Sequence, residues 1–262
     1  MSGQRSIATV IGVIATLLLV WMVNPWVAVP EGLNQIVTIA FWVSAIALVV
    51  VLYLDARKDP DSDQVEIEGP GFTRFLFGNS RAGLFWLPIR LFLGFAWLEA
   101  GWHKFTGTGW MDGGTALQGF WTNAVAVPEE GHAAITYDWY RSFIQMLIDN
   151  GAQTWMGTLI PLGEMAVGLG LLFGALTGFA AFFGSLMNMS FMLAGSASTN
   201  PVLFTLAIGL MLGWKVAGYY GLDRWLLPAL GVPWRSHIDA PHPTPPPSPS
   251  TPAPPPQEAA SG

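Results

Sequence analysis

The sequence predicts an all-α protein: a polytopic membrane helical bundle of about six transmembrane helices. Three observations carry this. Of 262 residues 52% are apolar and only 11% are charged, against about 25% charged in a soluble domain. Long uncharged stretches of about 20 residues recur along the chain, the length a helix needs to cross a bilayer. Thirteen Trp are present, and aromatic side chains gather at membrane–water interfaces.

The first predicted span runs near Ile7–Val23 and the second near Asn34–Leu54. A lone Arg5 ahead of the first, with a second apolar span directly behind it, reads as a retained helix rather than a secretory leader. The third span lies near Gly83–His103, the fourth near Trp155–Leu176 and the fifth near Thr177–Ala194. The fourth and fifth are almost continuous, which predicts a tight helical hairpin. The sixth covers about Pro201–Tyr219 and opens on Ser198-Thr199-Asn200-Pro201, a cap residue followed by proline at the helix start.

These spans divide the chain. Residues 1–60 hold the two N-terminal helices, 61–82 an acidic cytoplasmic linker, and 83–234 a four-helix membrane domain with an outer segment at 104–154. Residues 235–262 are a Pro-rich tail that cannot form a packed core, so disorder is expected there. Within the outer segment, Trp139, Tyr140, Phe143, Met146 and Leu147 share one helical face, and Gly151 supplies a stop. This predicts a short helix over Tyr137–Asn150 lying on the membrane surface as an interfacial anchor or a lid, with Trp110, Phe120 and Trp121 expected to behave likewise.

Orientation follows Lys and Arg. Arg57, Lys58, Arg74 and Arg81 fall between the second and third spans, and Lys215, Arg224 and Arg235 at or after the sixth. The opposite side carries only Lys104 and Arg141. The expectation is a multi-pass cell-membrane protein with both termini cytoplasmic.

Composition also excludes chemistry. The chain has no cysteine, which removes disulfides, thiol redox chemistry and cysteine-held iron–sulfur clusters. Its four His are His103, His132, His237 and His242. Only His103 lies near a span, so no haem, iron–sulfur cluster or metal is expected. A net charge of −6 is no nucleic-acid footprint.

Charged groups inside a bilayer are expensive and functional by default. The candidates are Arg90 and Glu99 in the third span and Glu164 in the fourth, with Asn188 in the fifth and His103 and Lys104 at a helix end. At about 1.5 Å per residue, Arg90 lies roughly 10 Å in from one side and Glu164 roughly 14 Å in from the other. Antiparallel neighbours would then let them pair, either for packing or for function. Glu99 and His103, spaced i, i+4, share a face and suit a proton relay or an interfacial pair. Arg90, Gly94, Trp97, Gly101 and Lys104 form a nearly opposite stripe. Ser185, Asn188, Met192 and Ser196 line one side of the fifth span. Gly170, Gly174 and Gly178 read as close packing.

Three motifs carry a resemblance. The third span reads Arg90-Leu-Phe-Leu-Gly94-Phe-Ala-Trp97-Leu-Glu99-Ala-Gly101-Trp-His103-Lys104. The fourth reads Pro161-Leu-Gly163-Glu164-Met-Ala-Val-Gly168-Leu-Gly170. The close of the sixth reads Gly221-Leu-Asp223-Arg224. Their order and spacing over residues 81–234 resemble the DoxX family, and most its DoxD branch. The two N-terminal helices and the tail stand outside that pattern. The resemblance implies a DoxX-like four-helix core. It also implies a link to thiosulfate:quinone oxidoreductase, whose large membrane subunit the DoxD branch supplies. A small membrane partner subunit, membrane quinone as electron acceptor and the lipid bilayer are the partners it implies. In that reading Arg90, Glu99, His103, Lys104 and Glu164 are the catalytic candidates, and Trp97 and Asn188 would contact the quinone. The alternative is a non-catalytic DoxX-like scaffold subunit. An aromatic-lined pocket with unpaired polar groups would favour the enzyme. A transporter is weaker, since no inverted repeat is visible.

Overall fold

A computed structural model of the chain describes residues 2–23, 31–57 and 69–232. The Pro-rich tail and residues 58–68 of the linker lie outside the described residues. Every regular element described is helical. In order they are α1 (Ser2–Val23), α2 (Glu31–Ala56), α3 (Gly71–Gly78), a 3-10 turn (Ser80–Ala82) and α4 (Gly83–Thr106). Next come α5 (Thr115–Val125), α6 (Asp138–Asp149), α7 (Gln153–Phe173) and α8 (Thr177–Leu193). The chain closes with α9 (Asn200–Leu212), α10 (Trp214–Ala217) and α11 (Asp223–Ala229).

Three stretches are long and apolar enough to cross a membrane: Leu33–Asp55, Ser80–Thr106 and Gln153–Phe173. Shorter apolar helices cover Ser6–Met22, Thr177–Leu193 and Asn200–Leu212. The last is the clearest departure from expectation. It stops at Leu212 because Gly213 opens the backbone, and the chain restarts in the four-residue α10. At about 1.5 Å per residue, its 13 residues reach only about 20 Å.

The core sits between α4, α7, α8 and α9. Trp86, Leu93 and Trp97 of α4 meet Val167 and Leu171 of α7, Ala181 of α8, and Leu203, Ala207 and Leu210 of α9. The α4–α7 contact is backbone against backbone. A side-chain carbon at Gly168 would fall 2.6 Å from the Leu98 nitrogen, and one at Gly94 would fall 2.8 Å from the Leu172 nitrogen. One at Gly101 would lie 2.9 Å from the Pro161 carbonyl. Small residues at such positions let two helices approach with no side chain between them. The series Gly170, Gly174 and Gly178 does not form one interface. Gly170 faces Ala180, Gly174 ends α7 with φ +63°, and Gly178 faces Trp214.

The stretch read as linker carries structure at its end. α3 packs against the start of α4, where the Trp86 indole donates to the Leu76 carbonyl at 2.8 Å. The outer segment holds two helices. The predicted one appears as α6 and ends before Gly151, whose φ is +65°. The second, α5, joins it in a separate apolar cluster of Leu117, Trp121, Ala124, Ile135, Tyr140, Ile144, Ala152 and Ala194. Trp121 and Tyr140 are therefore buried inside this cap rather than laid on a surface. A capping cluster of this kind can form because α7 starts early. Gly157 of its second turn touches Trp110 and Gly114 of the outer segment.

Candidate functional site

The register of α4 on α7 decides which charges meet. Gly101 rests on Pro161 and Met165, which places Glu164 beside the far end of α4. One turn along α4, the Lys104 ammonium reaches both oxygens of Glu164 at 2.8 Å. The Glu164 side chain is 1% exposed and that of Lys104 23%. The Trp110 and Phe191 rings flank the ammonium, with centroids 5.5 and 5.7 Å away. Such a geometry compensates a buried carboxylate with a charge-assisted, two-pronged contact and a cation–π flank.

The expected pairing of Arg90 with Glu164 does not form. Arg90 lies 14 residues earlier on α4, about 21 Å along the helix axis. It is buried at the opposite end, where its Nη2 donates to the Tyr220 carbonyl at 3.0 Å. Its Nε and Nη1 have no hydrogen-bond partner among the described residues. Gly174 and Gly221 close around this guanidinium, and a Cβ at either would collide with it. Nearby Asp223 accepts from the Leu176 and Thr177 amides at 2.6 and 2.9 Å, capping α8. Arg90 and Asp223 thus tie the C-terminal Gly221-Leu222-Asp223 turn to the α7–α8 junction.

A cleft of about 580 Å3 opens above the Lys104–Glu164 pair. Trp97, Glu99, His103, Lys104 and Glu164, all candidates from the sequence, line it together. Phe92 and Ala96 of α4, Phe191 of α8 and Leu203 of α9 extend it along the bundle. Trp110 and Phe120 belong to the cap side, and Ser196, Ser198, Thr199 and Asn200 to the α8–α9 turn. Glu99 and His103 stand 4.0 Å apart with side chains 56% and 77% exposed. The i, i+4 spacing therefore yields an open pair at the mouth, while Lys104 and Glu164 form the enclosed one.

Asn188 is fully buried on α8 and does not line the cleft. Val167 faces Gly184 and Gly163 faces Met187, so Glu164 and Asn188 occupy one level of antiparallel neighbours. Among the described residues, neither polar atom of the Asn188 amide has a hydrogen-bond partner, nor does Ser185 Oγ or Trp97 Nε1. The Trp97 indole nitrogen points at the Gly184 turn of α8. This strip of buried polar groups lies directly behind the cleft.

Sequence reasoning passed over the hydroxyl-rich turn as a site, although Ser198-Thr199-Asn200-Pro201 marks a helix start. Asp223, quoted from the sequence only as part of the Gly221-Leu-Asp223-Arg224 motif, caps α8 across the fold, a role that local spacing does not signal. Among the described residues no three His, Asp or Glu side chains gather as a metal site. Comparisons with family models, with curated proteins and with solved structures find no match to the chain.

Proposed function

We propose that the chain is the membrane subunit of a quinone-linked oxidoreductase of the DoxX type, oxidising thiosulfate and reducing membrane quinone. The observation that carries this reading is the aromatic cleft that gathers Trp97, His103, Lys104 and Glu164. Its lining fits a flat amphipathic ring. Trp97, Trp110 and Phe191 offer apolar faces, and Lys104 and His103 offer donors to a quinone oxygen. In this reading all six apolar helices span the bilayer, with α4, α7, α8 and α9 as the DoxX-like core and both termini cytoplasmic. The cap then faces outward, and exposed Phe92 borders the lipid through which a quinone enters.

Coupling two thiosulfate ions through sulfur releases two electrons, which a quinone takes up with two protons to give quinol. Lys104 stabilises negative charge in the cleft, Glu164 holds or yields a proton beside it, and Glu99 with His103 exchanges protons with the outer solution. Arg90, far from the cleft, holds the bundle closed. A small membrane partner subunit completes the enzyme.

A scaffold reading draws on a different observation: both oxygens of Glu164 are already held by Lys104, as in a lock for helix packing. Thiosulfate-dependent quinone reduction in membranes expressing the chain, with its small partner, separates the two. The enzyme reading expects activity that drops at least tenfold in Lys104→Ala and Glu164→Ala at equal protein level. Absent activity in the wild type, or activity indifferent to both changes, sinks it.

A further inference from the structure

We propose that the cleft binds a small oxyanion at Lys104 and takes up one proton on Glu164 as it does so. The proposal rests on the function above only for its choice of anion. It stands on four observations. Lys104 and Glu164 both line the cleft, and Lys104 is the sole Lys or Arg among the lining residues. Two of the three ammonium donors go to Glu164, leaving one for a third partner. Glu164 is enclosed while Lys104 keeps 23% exposure, so an incoming anion meets the cation and not the carboxylate. Across the cleft stand Ser198, Thr199 and Asn200 at the start of the 13-residue α9. Thr199 gives that helix no side-chain cap, and the positive end of a helix favours negative charge.

Glu164 therefore occupies Lys104 as a built-in anion. An oxyanion that takes the ammonium leaves the carboxylate with no cation, and an unpaired buried carboxylate is costly. A proton resolves that cost and cancels one of the two negative charges that thiosulfate brings to the enclosed site. The other titratable groups facing the pair are Glu99 and His103, both exposed at the mouth. From α8 and α9 the pair meets only neutral Phe191, Ser196, Ser198, Thr199 and Asn200, and from the cap Trp110 and Phe120. Arg90 and Asp223 belong to the opposite end of the bundle.

The test is calorimetric titration of thiosulfate into the full chain in a neutral maltoside detergent. Two buffers of different ionisation enthalpy count the protons. The expected result is about one proton taken up per anion, with affinity falling about tenfold per pH unit. His103→Asn should keep that uptake. Glu164→Gln should abolish it and bind thiosulfate at least tenfold tighter, with a larger thermal shift than wild type because the ligand now relieves an unpaired lysine. Lys104→Met should not bind. The proposal is overturned by wild-type binding without proton uptake, by uptake lost in His103→Asn, or by no binding. Displacement of thiosulfate by equimolar short-chain phosphatidylglycerol would instead give the site to a lipid headgroup. A chain that binds with this stoichiometry but reduces no quinone would keep the inference and remove the enzyme reading.

Discussion

Asp223 accepts the Thr177 amide proton at 2.9 Å and so caps a helix that begins 46 residues before it. The second oxygen takes the Leu176 amide. Leu176 has φ +49°, a conformation a leucine holds only when its surroundings fix it. Asp223→Ala removes both contacts and the carboxylate facing Arg90. Capping losses run about 0.5–2 kcal/mol, and a buried orphaned donor adds to that. We expect a loss of roughly 2–3 kcal/mol, read as an earlier midpoint in detergent-titrated unfolding, with Asp223→Asn losing about half as much.

The backbone contact of α4 and α7 predicts a sharp contrast between two glycines. A Cβ at Gly168 meets Leu98 backbone at 2.6 Å, whereas one at Gly163 meets nothing nearer than Met187 Sδ at 3.8 Å. Gly168→Ala should destabilise by about 1–3 kcal/mol, the usual cost of overpacking. Gly163→Ala should be neutral or slightly stabilising, since alanine suits a helix better by up to about 1 kcal/mol. Thermal unfolding in micelles measures both; equal effects would contradict the register described.

Removing one member of the enclosed ion pair strands the other. Lys104→Met alone should cost about 3–5 kcal/mol. The double change Lys104→Met with Glu164→Leu should recover most of it, because well-packed apolar replacements of buried pairs are often near neutral. A double-mutant cycle on unfolding free energy reads this as a coupling of several kcal/mol. Additive single effects would mean that the two side chains do not meet.

Burial within the cap pushes the Tyr140 phenol above its ordinary value, with a smaller opposing effect from its hydrogen bond to the Ser190 carbonyl at 2.8 Å. A raised value means the folded state favours the protonated phenol. The stabilisation is thus full below the unfolded value of about 10 and lost as pH rises through the folded one. Absorbance of ionised tyrosine should show one phenol titrating late, together with a loss of stability in the same alkaline range. Tyr140→Phe should remove that late titration and cost about 1 kcal/mol at neutral pH.

Much of the fold was readable because long uncharged apolar runs favour helix. The six apolar runs match α1, α2, α4, α7, α8 and α9 within a few residues, apart from the sixth. Periodicity also marked α6, and Gly151 its end. Two features escaped. Helix α5 has a stripe at Leu117, Phe120, Trp121 and Ala124, but it is only 11 residues long with Gly119 in its middle, and its aromatic residues were read as interfacial anchors. The partner of Glu164 escaped for a second reason. Arg90 and Lys104 lie on the same stripe of α4, so local spacing makes both eligible. The choice is made by register, which depends on how much of α7 is spent against the cap before it joins α4. Depth counting assumed that α7 starts at the edge of the bilayer, and the contact of Gly157 with Trp110 shows that it begins beyond its contact with α4. Of the cleft residues in the α8–α9 turn, Ser196 stood out on the polar side of the fifth span, but Ser198, Thr199 and Asn200 read only as a helix start, because such groups look the same whether they face solvent or a cavity.

The interlocked glycines have a mechanical consequence. Where Gly94, Gly101 and Gly168 bring the two backbones together, few rotamers separate α4 from α7, so the pair holds Trp97, Lys104 and Glu164 in a fixed register. Any change in the width of the cleft must come from its other wall. There Gly195 has φ +85° and Ser198 φ +39°, and Gly195 rests on Ala134 of the cap. Under the function proposed above, the width of the cleft is set by the six-residue turn 194–199 between α8 and α9, while the ion pair on the opposite wall keeps its register.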